Sequence, residues 1–180
     1  MEQYPVRKIE KPIDWCVTVP GSKSMTNRAL LMAALSDGTV TLDGVLFSDD
    51  SRHFISSLTA LGFDVLVEEE KRRVTVKGEG GTIPKKEAEI DVGSAGTAAR
   101  FLTAMLGMSD GSYVIQASGQ MKKRPMKDLL LALEGLGASF AYLEEPYHFP
   151  MKVTGMGINT EKCSKIFLNI DQSSQFLSAL

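Results

Sequence analysis

Arg28-Ala-Leu-Leu-Met-Ala-Ala-Leu-Ser-Asp-Gly38 and Arg100-Phe-Leu-Thr-Ala-Met-Leu-Gly-Met-Ser-Asp-Gly111 share one pattern: an arginine, an apolar run, then Ser-Asp-Gly, with the arginines 72 positions apart. Two further matches follow in the same order. Leu58-Thr-Ala-Leu-Gly-Phe-Asp-Val65 returns as Leu133-Glu-Gly-Leu-Gly-Ala-Ser-Phe140, and Val74-Thr-Val-Lys-Gly78 as Lys152-Val-Thr-Gly155. A third copy opens at Gln175-Phe-Leu-Ser-Ala-Leu180, which matches Arg100-Phe-Leu-Thr-Ala-Met105. Ordered self-similarity of this kind marks a repeated structural unit.

Within a unit the periodicity reads as helix, strand, helix and two strands. Met25, Ala29, Met32, Ala33 and Leu35 give a helical spacing over 24–35 that stops at Ser36-Asp-Gly. Thr39-Val-Thr-Leu42 is β-branched and alternating, hence a strand. Ser48-Asp-Asp-Ser51 is an N-cap signal ahead of a helix over Arg52–Leu61, closed by Gly62. Strands at 63–67 and 73–76 flank a polar hairpin tip. The second copy gives helices over 97–107 and 126–136, a strand over 113–116, and a strand pair at 138–143 and 151–154. The expected organisation is an N-terminal segment 1–16 that groups with a further domain, a first unit over 17–91, a second over 92–169, and the start of a third over 170–180. A helix that breaks off at Leu180 without a cap gives the expectation that the chain belongs to a longer one.

Composition restricts the function classes. The formal net charge is −2, so no global basic field attracts nucleic acid or anionic lipid, and any anion site has to be built locally. No apolar run reaches the length of a membrane span, and the N-terminus has no basic-then-apolar leader pattern. Cys16 and Cys163 stand far apart without a CxxC partner, which favours free, buried thiols in a reducing, cytoplasmic compartment. Trp15 and the methionines read as core. His53 and His148 lack metal-ligand spacing.

Each copy enters its first helix through a small, polar turn: Pro20-Gly-Ser-Lys-Ser-Met-Thr-Asn-Arg28, Gly93-Ser-Ala-Gly-Thr-Ala-Ala-Arg100 and Asp171-Gln-Ser-Ser-Gln175. Serine and threonine there are ordinary N-caps. However, Lys23, Arg28 and Arg100 place cations at or near helix N-termini, which is unfavourable unless an anion is held there. Arg124 precedes Pro125 at an expected helix start, and its planar fork suits a carboxylate or phosphate. Lys122 and Lys123 also fit a solvated basic loop. Asp49 and Asp50 read as helix-capping residues.

Pro20-Gly-Ser-Lys-Ser with Asn27-Arg28, Gly93-Ser-Ala-Gly-Thr-Ala with Arg100, Arg124-Pro-Met, and Asp171-Gln-Ser-Ser-Gln-Phe resemble the signature segments of the EPSP synthase family, from about Val17 to Leu180. The resemblance implies an α/β (α+β) fold of repeated βαβαββ units, here two copies plus the start of a third. It implies enolpyruvyl transfer from phosphoenolpyruvate to the 5-hydroxyl of shikimate 3-phosphate, without metal or organic cofactor. Carried over by position, Lys23 touches both substrates and acts electrostatically, and Ser24 and Arg28 bind shikimate 3-phosphate. Gly96 and Arg124 hold phosphoenolpyruvate, while Ser173, Ser174 and Gln175 complete the shikimate-phosphate side. The family's proton-transfer carboxylates correspond to no residue of this chain, so the chain alone is expected to be inactive.

Two positions depart from the family pattern. Ser94 stands where asparagine is usual, and Phe101 where a small residue or proline is usual. The related transferase acting on UDP-N-acetylglucosamine carries a cysteine in the loop ahead of Arg-Pro, and Gly119-Gln-Met-Lys-Lys has none. An RNA 3′-terminal phosphate cyclase calls for a basic, aromatic surface that the composition does not offer. A stand-alone phosphometabolite-binding module is the alternative from another class.

Overall fold

The computed structural model describes residues 4–6, 8–157 and 165–180. The first unit runs α1 (Lys23–Leu35), β1 (Asp37–Asp43), α2 (Asp49–Ala60), β2 (Asp64–Glu68) and β3 (Arg73–Glu79). The second runs β4 (Glu87–Asp91), α3 (Gly96–Gly107), β5 (Ser112–Gln116), the short α4 (Gly119–Lys122), α5 (Lys127–Leu136), β6 (Ser139–Tyr142) and β7 (Met151–Thr154). A last helix, α6, spans Gln175–Ala179. The expected repeat of helix, strand, helix and strand pair is present twice, and the second copy has the full βαβαββ order.

Each unit folds its strands into its own sheet, in the orders β1-β3-β2 and β4-β5-β7-β6. β3 and β7 are the central antiparallel partners of their sheets. β4 lies parallel to β5, joined to it through α3 as a parallel pair requires. Glu87–Asp91 falls inside the 17–91 stretch of the sequence-based division, yet pairs within the second sheet, so sheet membership divides the chain between β3 and β4. Among the described residues no strand takes the corresponding place beside β1, and residues 8–20 carry no strand.

The helices fill the interior. Every residue of α3 is buried, and the helix packs against α1, α2, α5 and α6 as well as β5 and β7. A helix covered on all sides is part of the core, and Gly96, Ala98, Ala99, Ala104 and Gly107 let its neighbours come close. One continuous apolar core joins both units, from Leu30, Phe54 and Leu58 through Phe101 and Leu102 to Tyr113, Leu133 and Phe176. Each such side chain contributes about 1.5–3 kcal/mol on burial.

The units resemble each other down to single contacts. A Cβ on Gly78 would stand 2.3 Å from Ser36 O and 2.5 Å from Ala33 O; one on Gly155 would stand 2.2 Å from Ser109 O and 2.6 Å from Leu106 O. Both strands therefore run hard against the end of the unit's first helix. Since Lys23 and Gly96 open their helices, and Ala33 and Leu106 take equivalent places, the structural counterpart of Arg100 is Asn27. The arginine-to-arginine match is displaced by one residue, because the second copy has one more residue between its arginine and Ser-Asp-Gly.

Four expectations from the sequence are corrected. Cys16 is exposed, and Trp15 is 78% exposed, because their segment joins no sheet. Cys163 lies outside the described residues. Met25 and Met32 face outward on α1, whereas Met105, Met121, Met126 and Met151 are core. The cap of α2 is Ser48, which forms a reciprocal capping box with Ser51, so Asp49 and Asp50 are not the capping groups. Pro125 stands two residues before α5 rather than at its first position.

Candidate functional site

A cavity of about 320 Å³ lies where the three polar turns meet, lined by Lys23 and Ser24 from the start of α1, Gly96, Thr97 and Arg100 from α3, and Arg124 and Pro125 ahead of α5. Gln172, Ser173 and Gln175 close it from the start of α6, and Asp50 of α2 completes it. Segments far apart in sequence thus converge because each is the entry to a helix packed on the common core. Of the residues singled out from the sequence, Lys23, Ser24, Gly96, Arg124, Ser173 and Gln175 line this one space. Arg28 and Ser174 stand outside its lining.

Arg100 is the most constrained member. The residue is buried, with an exposure of 6%, and among the described residues no carboxylate pairs with it. Nη1 donates to Gly96 O at 3.0 Å and to Gln175 Oε1 at 2.9 Å, and Nη2 to Pro125 O at 3.3 Å. Nε has no partner. The plane lies 5.3 Å from the Phe176 ring centroid, a cation–π contact. Burial, and secondarily the charge of Arg124, lowers its pKa from the ordinary arginine value. Such depression marks a cation whose charge the site compensates poorly.

Gly96 is squeezed between the two arginines: a Cβ there would sit 2.8 Å from Nη1 of Arg100 and 2.8 Å from Nη1 of Arg124. Arg124 is held by Ser94 O at 3.4 Å. Gln175 ties the third turn to the second, since Nε2 donates to Thr97 Oγ1 at 3.2 Å while Oε1 receives Arg100. Phe176, fully buried, anchors the same turn.

Lys23 Nζ forms an ion pair with Asp50 Oδ2 at 3.1 Å. Among the described residues Asp50 is the sole acidic one lining the cavity, against Lys23, Arg100 and Arg124. As the second residue of α2 it sits in the favourable field of that helix, and it offsets a lysine in the unfavourable field of α1. Sequence reasoning assigned Asp50 a capping role. Only the packing of α2 on α1 reveals its partner.

Arg28 packs 5.2 Å from the Phe101 ring centroid and donates to Ser24 O at 3.3 Å and Ser178 Oγ at 3.4 Å. Phe101 therefore supplies a buried shelf for the arginine. Ser94 Oγ lies 2.7 Å from Ser118 Oγ, fastening the second turn to α4. Lys122 pairs with Glu144 at 2.6 Å, as a surface lysine does. Among the described residues no group of three His, Cys, Asp or Glu side chains is placed to hold a metal, and no helix is long and apolar enough to cross a membrane.

This cavity, with three cations around one carboxylate, fits a multiply anionic ligand. The family model described as EPSP synthase (3-phosphoshikimate 1-carboxyvinyltransferase) matches residues 7–180. The chain belongs to the EPSP synthase family.

Among curated relatives in that family, the 3-phosphoshikimate 1-carboxyvinyltransferase of Nostoc sp. is 38% identical over 180 residues, covering 100% of this chain and 42% of the relative. The enzyme of the same name from Vibrio atlanticus is 42% identical, over 99% of this chain and 41% of the relative. The solved EPSP synthase of Acinetobacter baumannii superposes with a TM-score of 0.73 at 25% identity, over 91% of this chain and 36% of that one. The fold is accordingly that of the EPSP synthases. The chain spans about two fifths of the length of the curated relatives it matches.

Proposed function

We propose that this chain provides one side of the active site of a 3-phosphoshikimate 1-carboxyvinyltransferase in the cytoplasm. The enzyme joins the 5-hydroxyl oxygen of shikimate 3-phosphate to the enol carbon of phosphoenolpyruvate and releases inorganic phosphate. The observation that carries this reading is the convergence of three helix-entry turns on one cavity with Lys23, Arg100 and Arg124 opposed only by Asp50. Two substrates that each bear phosphate, and that also bear carboxylate, repel each other in solution. A preorganised set of cations and helix N–H groups offsets that repulsion and holds them in reacting distance.

In this assignment Arg124 and the start of α3 at Gly96 take phosphoenolpyruvate, with Arg100 behind them. Ser24, Arg28, Ser173 and Ser174 take shikimate 3-phosphate, and Lys23 and Gln175 lie between the two. The hydroxyl oxygen adds to the enol carbon while the methylene carbon takes up a proton; the phosphate oxygen then leaves that carbon as the methyl group gives a proton up, and the hydroxyl proton departs on the released hydrogen phosphate. Among the described residues no free carboxylate lines the cavity to carry these protons, since Asp50 is engaged by Lys23. Acid–base groups are therefore assigned to a partner domain of the complete enzyme, and the chain alone is expected to form no product.

The test is calorimetric titration of the chain with shikimate 3-phosphate and with phosphoenolpyruvate, repeated on Lys23→Ala and Arg124→Ala. Lys23→Ala is expected to weaken both ligands by about tenfold or more, the loss of one charge-assisted contact of about 1.5–3 kcal/mol. Arg124→Ala is expected to weaken phosphoenolpyruvate selectively. Binding no tighter than that of sulfate, or product formation by the chain alone at a synthase-like rate, would overturn the reading.

A further inference from the structure

We propose that His53 is a positioning residue that, from α2 of the first unit, fixes the Gly93–Gly96 turn of the second unit, a role that rests on the reading of the cavity as a phosphoenolpyruvate site. His53 does not line that cavity. Its Nδ1 lies 3.1 Å from Asp91 O, and a backbone oxygen can only accept, so Nδ1 is the donor of this contact. The Nε2 edge of the ring faces Gly93. A Cβ on Gly93 would stand 2.2 Å from Nε2 and 2.6 Å from both flanking ring carbons, and the residue has φ of +52°. The ring and the glycine are thus fitted to each other, and the backbone they fix is the one that opens α3.

The remaining holds on this turn come from its own unit. Gly93 N donates to Asp91 Oδ1 at 2.8 Å, Ala95 N to Val92 O at 3.0 Å, and Ser118 N to Gly93 O at 3.0 Å. His53 adds a contact from the opposite side and the other unit. Three residues after Gly93, Gly96 has both arginine nitrogens within 2.8 Å of where its Cβ would be, so a small displacement of the turn changes the gap the two cations enclose. His53 thereby transmits the placement of the first unit, which carries Lys23, to the second, which carries Arg124. A histidine that looked idle in the sequence couples the two halves of the site.

The experiment measures amide hydrogen exchange at Gly93 and Ala95 by NMR, together with titration by phosphoenolpyruvate and by shikimate 3-phosphate. His53→Phe keeps a ring against Gly93 and removes the Nδ1 donor. His53→Asn keeps a donor near the Nδ1 position. His53→Phe is expected to accelerate exchange at both amides about fivefold, the factor one net hydrogen bond supplies, and to weaken phosphoenolpyruvate by a similar factor. Shikimate 3-phosphate affinity is expected to stay within about twofold, and His53→Asn, which keeps a donor without the ring, to change both readings less than His53→Phe does. If His53→Phe fails to fold, Gly93→Ala displaces the turn from the other side and is expected to show the same pattern. Unchanged exchange in His53→Phe, or an equal effect in His53→Asn, would refute the role. Should the parent chain bind no phosphoenolpyruvate, the functional reading fails, and the exchange measurement still decides whether His53 sets the turn.

Discussion

Replacing Arg100 by methionine separates what the fold needs from what the cavity holds. In the anion-free chain the substitution removes a buried guanidinium that has no carboxylate and one unpaired Nε. Relief of a buried charge is worth about 1–4 kcal/mol when an apolar side chain of similar volume replaces it. Against this, Gln175 Oε1 and Pro125 O lose a donor, at about 1–2 kcal/mol together. Gly96 O, in the first turn of α3, keeps its helical N–H, and Gln175 keeps Thr97. The balance runs from about 1 kcal/mol of loss to about 3 kcal/mol of gain, so the empty variant should be close to the parent in stability or above it. With an anion bound the balance changes: at a concentration 100 times its Kd, a ligand stabilises the parent by about 2.7 kcal/mol, and the variant gains little of this. Urea denaturation with and without phosphoenolpyruvate reads both numbers. A difference between the two proteins that opens only with ligand supports an anion-holding Arg100. A loss above about 3 kcal/mol that is equal in both conditions would show that Arg100 is a structural strut, and the reasoning would fail.

Gly155→Ala drives a Cβ to 2.2 Å from Ser109 O, a backbone atom that cannot swing aside, so a loss of about 3 kcal/mol or more in urea unfolding is expected. Gly78→Ala meets the same geometry in the first unit, and the two losses should add; an unperturbed midpoint in either would show that the strand–helix contact yields. Removing the counter-charge by Asp50→Asn should tighten inorganic phosphate binding about two- to fivefold at low salt and less at high salt, as calorimetry at two ionic strengths can read. Weaker binding would mean that Asp50 orients Lys23 rather than competing with the anion. Glu69, through its hydrogen bond from Arg52, and Asp110, through that from Lys86, both have folded pKa values below the ordinary carboxylate range. Their contribution is complete above that range and lost as pH falls through the depressed values, so urea midpoints should be flat near neutrality and decline on acidification. A midpoint that rises toward acid would contradict this.

The sequence disclosed the helices and the strand pairs because their periodicities are undisguised and recur. It did not disclose β4, since Glu87-Ala-Glu-Ile-Asp91 carries three carboxylates on its outer face and only Ala88 and Ile90 inward, too short an alternation to stand out. The three turns were legible because serine, glycine and a cation at a helix start are locally inconsistent without an anion. Asp50 and His53 were not, because each acts on a residue of another element, and neither distance is written in local spacing. Arg100 was read for its conflict with the helix field, but its depth of burial depends on α6 folding over it. Trp15 was misread because hydrophobicity alone does not say whether a sheet is there to receive it.

α3 has no side facing water. On an ordinary surface helix half the positions absorb substitutions without consequence, because solvent yields. Along α3 each change of size must be passed to α1, α2, α5 or α6, and these same helices carry or flank the turns that form the cavity. Variation in this protein is thereby pushed outward, onto the sheets and the loops. A substitution as mild as alanine to serine in α3, distant from any ligand, would be expected to alter the spacing of Lys23, Arg124 and Gln175 together.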